Sequence, residues 1–167
     1  MSQLAARSNA RPSPLELLHR ACQRVDDLFH VNAGENGVTP RQYAVLRTLA
    51  THKDVSQTDI SDVTGIDRST LADIVRRLVG RDLVQRKRTK TDARMYAVRL
   101  TDTGRDTLAV AGLAARSADS NLLAVLSGAE REQFLDMLGR VVAGKSRADS
   151  KQLHSTVGAK AGRARAQ

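Results

Sequence analysis

Apolar residues recur at alternating steps of three and four through Leu15, Leu18, Cys22, Val25 and Phe29, the spacing of a narrow stripe along one side of a helix. The stripe follows Ser13-Pro14-Leu15-Glu16, which pairs a capping hydroxyl with a carboxylate three residues on and puts proline at the favoured first helical position. A first helix is therefore predicted from Pro14 to about Val31. Residues 32–38 hold two glycines and read as a loop. Thr39-Pro40-Arg41-Gln42 repeats the start signal and opens a second helix with Val45, Leu46, Leu49 and Ala50 turned inward.

Two shorter periodic segments follow. Ser56-Gln57-Thr58-Asp59 opens one that contains Ile60 and Val63, and Thr64-Gly65-Ile66 interrupts it, glycine supplying the freedom a tight turn needs. Asp67 caps the next, whose residues Leu71, Ile74, Val75, Leu78 and Val79 form an apolar side while Ser69, Thr70, Asp73, Arg76 and Arg77 lie on other faces. Two short helices joined by a glycine turn, the second with a basic outer face, predict a helix-turn-helix.

After Gly80 the period changes to two. Residues 83–88 and 94–100 read as strands, the latter with Tyr96, Val98 and Leu100 on one face, and Thr89-Lys90-Thr91-Asp92-Ala93 is the basic tip between them. Thr101 caps a long alanine-rich helix expected to reach Leu126, and Ser127-Gly128-Ala129-Glu130 starts a last one with Leu135, Leu138, Val141 and Val142. The fold class predicted is mainly α with a small β-hairpin wing. The first helix is too narrowly apolar, and the alanine-rich helix too small-sided, to complete a core within one chain; a partner subunit would bury both, the alternative being an intramolecular bundle. This divides the chain into a flexible segment (1–12), a dimerisation helix (13–37), a DNA-binding domain (38–100), dimerisation helices (101–143) and a basic, disordered tail (144–167).

Charge sharpens this picture. The 167 residues carry 27 Lys and Arg against 18 Asp and Glu, a net charge of +9, and a chain this basic is expected to meet a polyanion. Phe29, Tyr43, Tyr96 and Phe134 are the only aromatics, too few for a platform that stacks single-stranded bases, so duplex DNA is the better partner. A single cysteine and four scattered histidines give no metal-ligand spacing. There is no nucleophile–base pair or phosphate loop, so neither an enzyme nor a bound cofactor is expected. The start lacks an apolar leader and no later run is long enough to span a bilayer, from which a cytoplasmic protein without membrane contact is expected.

Several motifs together resemble the MarR family of bacterial regulators: Val38-Thr39-Pro40-Arg41-Gln42-Tyr43-Ala44-Val45-Leu46, Leu83-Val84-Gln85-Arg86, Asp92-Ala93-Arg94 and Leu100-Thr101-Asp102-Thr103-Gly104. The order and spacing match from about Leu15 to Val142. The resemblance implies a winged helix-turn-helix in a dimer whose first and last two helices interlock, a pseudo-palindromic operator, and a ligand crevice between the dimerisation and DNA-binding parts. Asp82 stands where the family commonly has glycine before the first wing strand; aspartate tolerates a left-handed turn.

With the recognition helix in the major groove, Arg68, Ser69, Thr70 and Asp73 are the expected base readers, and Arg76 and Arg77 the phosphate contacts. On the wing, Arg86, Lys87, Arg88 and Lys90 would hold phosphates, Arg94 would enter the minor groove or anchor the wing, and Asp92 would orient Arg94. Taken singly, each of these charges is also what a solvated surface carries. For the crevice, His19, Arg20, Asp26, His30, Arg41 and Tyr43 are candidates to hold a small anionic effector, an aromatic acid or an acyl-CoA-like thioester. Some members of the family sense hydroperoxides through a cysteine on the first helix, which makes Cys22 a redox candidate; its place in the apolar stripe predicts instead a buried, unreactive thiol. The basic tail, with Lys145, Arg147, Lys151, Lys160, Arg163 and Arg165, either adds nonspecific DNA attraction or only solubilises. The function expected is an effector-released repressor, with redox control or a ligand-free architectural role as alternatives.

Overall fold

The computed structural model describes residues 11–34, 37–52, 55–88 and 96–144. The expectations for residues 1–10, for Lys90, Asp92 and Arg94, for the side chains of Lys87, Arg88 and Tyr96, and for the basic tail fall outside the described residues.

The chain runs α1 (Pro14–Ala33), α2 (Pro40–Thr51), α3 (Gln57–Thr64), α4 (Arg68–Gly80), β1 (Val84–Arg88), β2 (Tyr96–Leu100), α5 (Asp102–Leu122) and α6 (Gly128–Ala143). Each start signal works as its chemistry requires. In α1 the Glu16 amide donates to Ser13 Oγ at 3.2 Å while the Ser13 amide donates to Glu16 Oε2 at 2.7 Å. Reciprocal boxes open α2 (Thr39 with Gln42), α3 (Ser56 with Asp59) and α6 (Ser127 with Glu130), each satisfying amides that a first turn leaves without partners. α1 continues to Ala33, beyond the expected Val31, and stops at Gly34 with φ 75°. α5 ends at Leu122, four residues early, because Ser127 must be extended to cap α6 and the Leu126 amide closes a turn on the Leu123 carbonyl at 3.0 Å.

α1 to α5 and the hairpin form one compact unit ending at Leu122, and α6 belongs to a second. In the first unit the core is built from one face of each short element: Val45 and Leu46 of α2, Ile60 of α3, Leu71, Val75 and Leu78 of α4, Val84 of β1 and Val98 of β2 are all fully buried. Ala50 and Val79 are exposed, contrary to expectation; each lies just past the edge of the arc its helix buries, where the apolar pattern runs wider than the contact. β1 and β2 pair antiparallel, Val84 opposite Leu100 and Arg86 opposite Val98, and the Val98 amide also donates to the Val55 carbonyl at 3.2 Å, tying the wing to the segment before α3.

α1 packs along α5. Ala111, Gly112, Ala114 and Ala118 are buried on α5, and Ser117 Oγ donates to Asn32 Oδ1 at 3.0 Å across the pair. The alanine face is therefore consumed inside the chain, not left for a partner: small side chains let the two helices approach closely. What stays exposed is Leu15, Leu17, Leu18 and Val31 on α1 and Val110 and Leu113 on α5. Cys22, expected to be buried, is exposed, because α1 buries only its C-terminal half, through Phe29, in this chain. In the second unit α6 exposes Phe134, Leu135, Met137, Val141 and Val142.

Candidate nucleic-acid interface and ligand cleft

The turn between α3 and α4 fixes the angle of the second helix. Gly65 adopts the left-handed conformation at φ 70° and its amide caps α3 on the Ser61 carbonyl at 2.9 Å, a backbone state glycine adopts at no steric cost. Ser61 Oγ donates to the Ile66 carbonyl at 2.6 Å and the Ile66 amide donates to Thr64 Oγ1 at 3.3 Å, so the three-residue link is held from both sides. α4 then buries Leu71, Ile74, Val75 and Leu78 and leaves Arg68, Ser69, Arg76 and Arg77 exposed.

At the exposed N-terminus of α4, Asp67 Oδ1 accepts from the Thr70 amide at 2.9 Å and from Ser69 Oγ at 2.6 Å. The Ser69 hydroxyl first, then Thr70, holds the Asp67 carboxyl well below the usual carboxylate range. Ser69 and Thr70 are thus fixed by the cap, and Arg68 reaches outward beside them. One turn on, Asp73 accepts from Arg76 Nη2 through one oxygen and from Arg77 Nε at 2.8 Å through the other, and these arginines, Arg76 foremost, lower its carboxyl as well. Three of the expected contacts are therefore tied together, Asp73 gathering the Arg76 and Arg77 cations one turn beyond Ser69. Arg86 lies exposed on β1, giving a second basic element beyond the helix.

Between helix and wing the chain turns through Arg81, Asp82 and Leu83. Asp82 has φ 53°, the left-handed turn foreseen for it. Thr101 Oγ1 donates to the Asp82 carbonyl at 2.6 Å and accepts from the Gly104 amide at 2.9 Å, and its own amide donates to the Leu83 carbonyl at 3.2 Å. The residue that caps α5 is therefore the one that holds the junction between recognition helix and wing.

On the other flank of that junction is an open cleft of about 560 Å³, lined by Ala33, Val38, Arg81, Asp106, Thr107 and Val110 with their neighbours. Arg81 Nη1 donates to the Gly37 carbonyl at 3.3 Å. None of the six effector candidates read from the sequence lines this cleft. His19, Arg20, Asp26 and His30 are exposed along α1, Arg41 is exposed on α2, and Tyr43 is half-buried, its ring 5.7 Å from that of Phe29. Arg81, Asp106 and Thr107 line the cleft instead; each reads locally as an ordinary helix-surface residue, and only packing brings Arg81 beside Gly37. Among the described residues no group of His, Cys, Asp or Glu could hold a metal ion, and no helix is long and apolar enough to cross a membrane.

A sequence model of the MarR family matches residues 36–95. The chain is 32% identical over 105 residues to a protein described as a transcriptional regulator for the hcr operon of Thauera aromatica, the match spanning 63% of each. It is 31% identical to the HTH-type transcriptional repressor NicR of Pseudomonas putida over 75% of this chain and 80% of that one. Among solved structures, the Bordetella bronchiseptica regulator BpsR, whose DNA binding is regulated by 6-hydroxynicotinic acid, superposes with a TM-score of 0.70 at 28% identity, covering 75% of this chain and 96% of its own. The transcriptional repressor CouR bound to a 23-mer DNA duplex superposes at 0.71 and 32% identity, covering 78% and 92%. A helix-turn-helix with a basic outer face, a two-stranded wing and these relatives lead to one conclusion: the chain belongs to the MarR family of winged helix-turn-helix transcriptional regulators and is a DNA-binding protein, not an enzyme.

Proposed function

We propose that the chain works as a homodimeric repressor that binds a palindromic operator in double-stranded DNA and is released by a small anionic effector, an aromatic acid or an acyl-CoA-like thioester. The observation that carries the DNA side is α4, which buries Leu71, Ile74, Val75 and Leu78 in the core while Arg68, Arg76 and Arg77 stand exposed on a capped helix. In this reading Arg68, Ser69 and Thr70 meet base edges, Arg76, Arg77 and Arg86 meet phosphates, and Lys87, Arg88, Lys90 and Arg94 extend the contact along the wing. The dimer is supported by the leucines that α1 exposes at positions 15, 17 and 18 and by the apolar side chains exposed on α6, more than isolated surface residues would explain. The effector is supported by BpsR, a similar protein regulated by a small aromatic acid.

The test is a mobility-shift titration against the DNA flanking the chain's own gene, at several salt concentrations and with a panel of aromatic acids and acyl-CoA thioesters. Saturable retention of one site, weakened steeply by salt and abolished by one compound, is the expected result. Retention that ignores sequence would leave an architectural role instead.

A further inference from the structure

We propose that Thr101 is the positioning residue of the wing: through the Asp82 carbonyl its hydroxyl sets the angle at which β1 leaves the recognition helix, so that helix and wing reach one half-site of duplex DNA together. This rests on the DNA-binding reading above and adds to it a residue that acts through another. The junction is short and takes an unfavoured shape. α4 ends at Gly80 and β1 begins at Val84, and between them Asp82 holds φ 53°, a left-handed state that a residue with a Cβ keeps only where its surroundings fix it.

Two backbone bonds fix it toward α4, from the Asp82 amide to the Val79 carbonyl at 3.0 Å and from the Leu83 amide to the Leu78 carbonyl at 2.9 Å. The bonds on the opposite side come from Thr101. Its amide donates to the Leu83 carbonyl at 3.2 Å and its hydroxyl to the Asp82 carbonyl at 2.6 Å. A hydroxyl has one proton and two lone pairs; here the proton goes to Asp82 and a lone pair accepts from the Gly104 amide at 2.9 Å. One oxygen therefore caps α5 and holds the peptide that aims β1. α5 gives that oxygen a fixed seat, since it packs along α1 and against α2, and the Gly104 backbone meets the Leu83 carbonyl with no room for a side chain between them.

The wing is a lever on this junction. Arg86, exposed on β1, lies about 13 Å beyond Asp82 along an extended strand. A rotation of about 10° at Asp82 carries it about 2 Å, more than a hydrogen bond to phosphate tolerates. β2 is tied separately, through the Val98 amide and the Val55 carbonyl. Without the Thr101 hydroxyl the hairpin therefore stays attached, and what changes is its angle to α4.

Three variants of the full chain, titrated against the DNA flanking its own gene, test this. Thr101→Val removes both hydroxyl bonds. Thr101→Asp keeps the cap, since a carboxylate accepts from a first-turn amide, but ionised it has no proton for the Asp82 carbonyl. Thr101→Ser keeps both. The Val and Asp variants are expected to bind at least about tenfold more weakly and the Ser variant within about twofold of wild type, with the Asp variant melting where the Ser variant does. Double-mutant cycles locate the loss: Arg86→Ala should weaken the wild type at least about threefold and the Val and Asp variants no further, whereas Arg68→Ala should weaken all of them by one factor. Wild-type affinity in the Val and Asp variants overturns the proposal. So does an Arg86→Ala loss undiminished in them, or an Arg68→Ala loss that shrinks in step, which would mean that the whole lobe had moved. Should Thr101→Val not fold, Thr101→Asp carries the test, and its own failure to fold where Thr101→Ser folds would make Thr101 a residue of stability alone. All these outcomes leave the DNA-binding reading standing; if Arg86→Ala and Arg68→Ala leave wild-type affinity unchanged, that reading falls and this one with it.

Discussion

The backbone of Gly104 lies against the carbonyl oxygen of Leu83 so closely that a methyl group built there would sit far inside van der Waals contact. The obstacle is backbone, and it belongs to the residue whose carbonyl also accepts from the Thr101 amide, so neither side can yield cheaply. In an open helix an alanine would stabilise by about 1 kcal/mol over glycine. Here overpacking of about 1–3 kcal/mol outweighs that gain. We expect Gly104→Ala to lower the urea midpoint and Gly80→Ala, which meets nothing within 4 Å at an ordinary φ, to raise stability by about 0.4–1 kcal/mol. Equal effects from the two substitutions would reject the close approach.

The Asp73 carboxylate, which spans Arg76 and Arg77, is expected to set how sharply the protein tells its operator from other DNA. Phosphates must compete with Asp73 for both cations, which costs affinity on every sequence but is offset only where base contacts are also made. Asp73→Asn removes the charge and keeps the shape. Binding to random duplex should tighten about three- to tenfold and the salt dependence steepen, by up to about one unit of slope per cation released. If Asp73 instead reads a base edge, the substitution weakens operator binding and leaves random duplex unchanged.

Helix starts were legible in the sequence because a cap is local chemistry: Ser13, Thr39, Ser56, Asp67 and Ser127 each lie within three residues of the amide they serve. The turn at Asp82 was flagged through the family resemblance, which puts glycine there, and the aspartate adopts the left-handed conformation at φ 53°. Burial was less legible. Periodicity marks which face of α5 is small but not what covers it, and α1 covers it within the same chain. Cys22 sits in a correct apolar stripe whose N-terminal half finds no partner in this chain. The Arg81 cleft was invisible, since it depends on Gly37, Arg81 and Asp106 meeting across three distant segments, and no periodic pattern encodes that meeting.

Stability should be lost in acid through the helix starts. The backbone amide of Ser13 lowers the Glu16 carboxyl, the hydroxyls of Ser56 and Ser127 lower Asp59 and Glu130, and that of Ser69 lowers Asp67. A carboxyl depressed in the folded state contributes fully above its unfolded pKa and loses that contribution as pH falls through the folded value. The urea midpoint should therefore be flat from pH 7 to 5 and drop below about pH 4. Combining Glu16→Gln, Asp59→Asn, Asp67→Asn and Glu130→Gln should lower the neutral midpoint and flatten the acid limb. A drop that begins near pH 6 would point to histidines instead.

Arg68 and Arg77 stand on the same helix but should fail differently when truncated. Arg68 follows the cap directly, where a helix in the major groove brings its first turn against base edges, and a bidentate arginine contact there is worth about 1–3 kcal/mol of discrimination. Arg77 lies in the last turn, where the helix meets the strand backbone. Arg68→Ala is therefore expected to weaken operator binding about five- to hundredfold and to relax preference at one base pair in each half-site, with random-duplex affinity little changed. Arg77→Ala should weaken all duplexes alike and reduce the salt slope by about one for each phosphate it no longer neutralises. Both variants should sediment as the wild-type oligomer, because both side chains belong to α4 and not to α1 or α6, which expose the apolar residues assigned to the dimer. Competition binding against a library of single base-pair changes in the operator separates the two: an Arg68→Ala profile parallel to wild type would move Arg68 to the phosphates.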